Sequence, residues 1–70
     1  MADNKEKLKI LLEHLIGHNV DHAKEIKGLA ESAGEFGFED ARELLLKGSE
    51  EMEVSNNTLK EALEIIKKGM

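Results

Sequence analysis

Two long amphipathic stretches divide the chain, with a short glycine-bounded segment between them. In the first, Leu8, Leu12, Leu15, Asn19, His22, Ile26, Leu29 and Ala33 recur at alternating steps of four and three. That is a sustained seam of 3.5-residue period, as packed helices show. Leu11, Ile16, Ala23 and Ala30 widen it, and its centre is polar at Asn19 and His22. In the second stretch Phe38, Leu45, Met52, Leu59 and Ile66 are spaced seven apart. Three residues after each stands a small one: Ala41, Gly48, Ser55, Ala62 and Gly69. A large–small heptad lets antiparallel helices approach closely.

These periods predict an all-α chain forming a single domain over 1–70. It has a helix over 4–33, a turn over 34–37 and a helix over 38–68, folded as an antiparallel hairpin. Asp3, three residues before Glu6, has the spacing of a capping box at the first helix start. Gly17 and Gly28 weaken that helix without shifting its phase, so it reads as one element. Gly34 suits a left-handed helix end, Gly37 can cap the next helix, and Phe36 can staple onto Ala41. Ser55-Asn56-Asn57-Thr58 resembles a fresh helix start, and a break there would give three helices. The heptad keeps its register across those four residues, which favours continuity.

Both apolar stripes are wider than one hairpin seam requires, which predicts that each helix touches two neighbours. Two hairpins closing an antiparallel four-helix bundle, a homodimer, would meet that need. The competing arrangement is a monomer bent at Gly17 and near Asn56 into four short helices.

Composition narrows the function classes. The 70 residues contain no cysteine, proline, tryptophan or tyrosine. Disulfides, thiolate nucleophiles and cysteine zinc sites are therefore excluded, and a cytoplasmic location is expected. The net charge is −5, with both signs interspersed. Nucleic acid and anionic membranes call for clustered Lys and Arg, so neither is an expected partner. MADNKEKLKI lacks the apolar run of a secretory signal, and no stretch is apolar for long enough to span a bilayer.

The candidate chemistry lies in EHLIGHNVDHAKE, residues 13–25, where His14, His18 and His22 stand at four-residue steps. Side chains four apart are helix neighbours, and two imidazoles so placed can hold Zn²⁺ or Ni²⁺. On the helical wheel His22 falls within the apolar arc, His18 on its edge and His14 outside it. His14 and His22 are about 12 Å apart along the axis, too far to share one ion. His18 and His22 are thus the expected pair. The hairpin would place Ser49, Met52, Glu53 and Asn56 across from them, with Glu53 as the carboxylate ligand. Glu25 could join the site or orient His22 from behind. A second copy could instead contribute its own histidines. Binding needs neutral imidazole and so would weaken in acid. The alternative reading is that a seam histidine, like Asn19, only sets register and partner choice.

Other chemistries lack their residues. Glu-x-x-His and His-Glu-x-x-His are absent, as is a phosphate-cradling glycine loop. Ser49 near His22 would have no oxyanion-stabilising loop, so no enzyme is expected. Glu50, Glu51 and Glu53 read as a solvated face around Met52.

Glu13-His14, His18-Asn19, His22-Ala23 and Glu25 resemble an E-H-x-x-x-H-N-x-x-H-A-x-E pattern of a family of uncharacterised short helical domains. Gly37-Phe38-Glu39-Asp40 through Leu44-Leu45 is similar to the second half of that pattern. The resemblance implies a nickel- or zinc-related accessory protein. Two functions follow: a small non-catalytic metal-handling protein with Ni²⁺ or Zn²⁺ on His18 and His22, or a ligand-free helical module that binds itself or another protein.

Overall fold

The computed structural model describes residues 4–69. Two helices, α1 (Asn4–Glu35) and α2 (Glu39–Lys68), pack against each other as a hairpin. Its extents are 55 × 17 × 10 Å. The proposed Asp3 cap lies outside the described residues. Both helices run unbroken, α1 through Gly17 and Gly28 and α2 through Ser55–Thr58. Neither the bent monomer nor the three-helix alternative therefore describes this chain. Asn56 resembles a helix-start residue in sequence, but here its amide is spent on α1 rather than on its own backbone.

The turn lies slightly later than expected. Gly37, with φ of 84°, is the left-handed residue, and α1 continues through Gly34. Phe38 N–H donates to the Ala33 carbonyl (2.8 Å) and Gly37 N–H to Gly34 (3.1 Å), the paired bonds of a Schellman ending. Phe38, not Gly37, precedes α2, while Phe36 stays exposed. At Gly34 a Cβ would sit 2.8 Å from the Arg42 side chain, so glycine leaves that flexible side chain room to lie across the end of α1. Nothing lies within 4 Å of such an atom at Gly17 or Gly28, so packing within the hairpin does not explain those two glycines.

The buried residues are Ile16, Ala23 and Ala30 on α1, and Ser49, Asn56 and Leu63 on α2. Half-buried Leu12, Asn19, Ile26 and Ala33 complete the α1 seam, and Leu45, Met52, Leu59 and Ile66 the α2 seam. One line of each seam is as expected. The other is displaced by one residue. Ile16, Ala23 and Ala30 face α2 where Leu15, His22 and Leu29 were expected. Ser49, Asn56 and Leu63 face α1 where Gly48, Ser55 and Ala62 were expected. On α1 the small side chains Ala23 and Ala30 at the closest approach explain the displacement, because leucines there would hold the helices apart. On α2 Ser49 and Asn56 take the inner line through their hydrogen bonds to α1 carbonyls.

Two buried polar groups tie the helices together. Ser49 Oγ donates to the Ala23 carbonyl (3.0 Å), and Asn56 Nδ2 donates to the Ile16 carbonyl (3.1 Å). Asn56 Oδ1 accepts from Asn19 Nδ2 at 3.1 Å. Among the described residues every buried side-chain polar atom has a partner. Such bonds form in one register only, because a slip of either helix would strand them without water. No described helix is long and apolar enough to cross a membrane.

Candidate functional site

The two broad faces of the hairpin differ. On one face Lys27 Nζ meets Glu53 Oε1 at 2.8 Å. This contact fixes the geometry: residues on the other flank of each helix must share the opposite face. By 100° per residue, Leu11, His18, His22 and Leu29 fall within about 40° of one another on that far flank of α1. Leu8 and Leu15 adjoin them. The same face of α2 presents Ala41, Gly48, Ser55 and Ala62, edged by Leu44 and Ile65.

The histidine rings line up along this edge. His18 and His22 have centroids 4.8 Å apart, and His14 and His18 6.3 Å. His22 Nδ1 is 3.2 Å from Glu25 Oε2. With Nδ1–H donated to that carboxylate, Nε2 is the nitrogen left for a ligand. Glu25 is thereby placed where it can orient the His22 ring. His22 is half-exposed on the flank and not in the seam, where Ala23 stands instead.

Glu53 does not complete this site, because it lies on the other face with Lys27. Among the described residues no three or more His, Asp or Glu side chains converge on an ion position within one chain. What the chain presents is a pair of imidazoles, half of a typical zinc shell. Ser49, fully buried and hydrogen-bonded to Ala23, is structural and out of reach as a nucleophile. Its role and that of Asn56 escaped the sequence reading. The available signal was the line Arg42, Ser49, Asn56, Leu63, spaced seven apart one residue beyond the small-residue line.

The Lys27 amine is raised above its usual value by its hydrogen bond to Glu53 and by that carboxylate's charge. A raised amine stabilises the fold below its ordinary value of 10.5 and loses that effect as pH climbs through the higher folded value. Both side chains are half-exposed, so the contribution is small. Lys27→Gln should lower the melting temperature slightly in low salt at neutral pH, and the difference should vanish in 1 M NaCl. Paired thermal melts check this.

The apolar content of the histidine face is unusual for a surface. Leu11 is 64% exposed, Leu29 58%, Leu44 69% and Ile65 72%. Among the described residues eleven large apolar side chains are exposed over the hairpin as a whole, against two, Ile16 and Leu63, that are buried and seven, Leu12, Ile26 and Leu45 among them, that are half-buried.

No curated protein and no solved structure matches the chain. One family model does match, over residues 8–66, and it takes in both helices, the turn and all three histidines. The chain belongs to that family, described as a domain of unknown function (DUF8180).

Proposed function

We propose that this is a non-catalytic self-association module in which two hairpins close an antiparallel four-helix bundle. The observation that carries this reading is the outward face of Leu8, Leu11, Leu15, Leu29, Leu44 and Ile65, each about half or more exposed, the kind of apolar surface that marks an interaction site. A face 55 Å long and 17 Å wide offers on the order of 900 Å² per partner, the scale of standard stable interfaces.

Light scattering on a sizing column tests it. The wild type should run at twice the 7.8 kDa chain mass. Leu11→Glu and Leu29→Glu should each shift the mass toward 7.8 kDa while leaving the helical spectrum in place. Both positions are exposed in the hairpin, so their substitution spares its core. A wild-type mass of 7.8 kDa at high micromolar concentration would overturn the reading.

The 4.8 Å spacing of the His18 and His22 rings favours a second reading. In it the pair holds a divalent transition metal, Ni²⁺ or Zn²⁺, and the domain is an accessory protein that handles the ion. Titration calorimetry should show binding weakened by His22→Ala far more than by His14→Ala. Equal weakening would mean nonspecific surface chelation.

A further inference from the structure

We propose that two copies of the chain share one divalent transition-metal ion on a two-fold axis through the middle of α1, ligated by His18 and His22 of each copy. This rests on the self-association reading.

The spacing of the exposed face is the first support. Leu11, His18, His22 and Leu29 are separated by seven, four and seven residues. Read in either direction about residue 20, the order is the same. An antiparallel copy of α1 crossing there would set Leu11 against the other copy's Leu29, and His18 against its His22. Like side chains would meet in a two-fold interface without further adjustment.

The second support comes from α2. Its small line, Ala41, Gly48, Ser55, Ala62 and Gly69, is symmetric about Ser55. Leu44 and Ile65 flank Ser55 at eleven and ten residues. The Asn19–Asn56, Asn56–Ile16 and Ser49–Ala23 hydrogen bonds bring Ser55 to within about one helical turn of the level of residue 20. One axis perpendicular to the helices therefore passes close to the centre of both patterns. It would pair α1 with α1 and α2 with α2, the small residues letting the second pair close.

The third support is the state of the histidines. Among the described residues one chain supplies two imidazoles at neighbouring positions and no third ligand converging with them. His22 Nδ1 lies 3.2 Å from Glu25 Oε2, an arrangement that leaves Nε2 for a ligand. Two such pairs brought face to face make four nitrogen ligands, the number a tetrahedral zinc site takes. The leucines on either side would exclude water from it.

Metal-stripped, tag-free protein titrated with Zn²⁺, with mass and stoichiometry measured together, tests the proposal. One Zn²⁺ per two chains is expected. His18→Ala and His22→Ala should each weaken binding at least tenfold, and His14→Ala should bind like the wild type. Leu11→Glu and Leu29→Glu keep every histidine yet should lose at least tenfold, because they separate the copies. Zn²⁺ should also raise the melting temperature of the wild type. One Zn²⁺ per chain, unaffected by the leucine variants, would overturn the shared site. A dimer that binds Zn²⁺ no more tightly than about 10 µM would overturn the metal while leaving self-association in place. A monomer that binds no Zn²⁺ would remove both.

Discussion

Ser49→Leu should be the most damaging single substitution in the hairpin. Ser49 is fully buried where α2 comes against Ala23 of α1, so three further carbons have no space to enter. Overpacking of this kind costs about 1–3 kcal/mol. In a domain this small that means a melting temperature lower by roughly 5–20 °C. Ser49→Ala separates the causes. It keeps the close approach and removes only the hydrogen bond to the Ala23 carbonyl, at a cost of about 1 kcal/mol. Thermal melts of both variants read the difference. A Ser49→Leu protein as stable as the wild type would mean that the helices are not held at this separation.

That contrast also shows how far the fold is legible in residue type. The 3.5-residue period identifies two helices, and the glycines near residue 35 identify the turn. One line of each seam follows directly, Leu12–Asn19–Ile26–Ala33 against Leu45–Met52–Leu59–Ile66. On α1 the second line misleads, because hydrophobicity points to the larger side chain and the closest contact to α2 takes Ala23 and Ala30. Leu15 and Leu29 look more like core residues than Ala23 and Ala30, and Gly48 and Ser55 look as suited to close packing as Ser49 and Asn56. The same one-residue displacement moves His22 from the seam to the flank. It also moves Glu53 out of reach, since Glu53 falls on the flank that meets Lys27. The His18–His22 pairing was legible because four-residue spacing needs only a helix, whereas the second half of any shell depends on which faces meet.

The second large effect should come from the asparagines. Asn56→Ala removes the bonds to the Ile16 carbonyl and to Asn19, and leaves a gap in the seam. A loss of about 1–3 kcal/mol is expected. The paired replacement Asn19→Leu with Asn56→Leu should act in the opposite direction. It exchanges a satisfied polar pair for apolar contact, and polar seam residues fix register at a cost in stability. The double variant should melt higher than the wild type. It should also populate more than one oligomer in sedimentation and broaden its amide NMR signals. A double variant with a single mass and sharp signals would show that the asparagines do not select the register.

In the proposed dimer two copies pair α1 antiparallel about residue 20, and the absence of native cysteine makes that directly measurable. Leu11→Cys and Leu29→Cys chains should be mixed in equal amounts and oxidised gently. The predicted pairing sets these two positions against each other across the interface. Two copies of either one alone would stand about 27 Å apart along the axis. The mixture should therefore form the mixed disulfide rapidly, while each variant alone should stay largely reduced. Disulfides forming as fast within each variant alone as between the two, or none forming in the mixture, would contradict it.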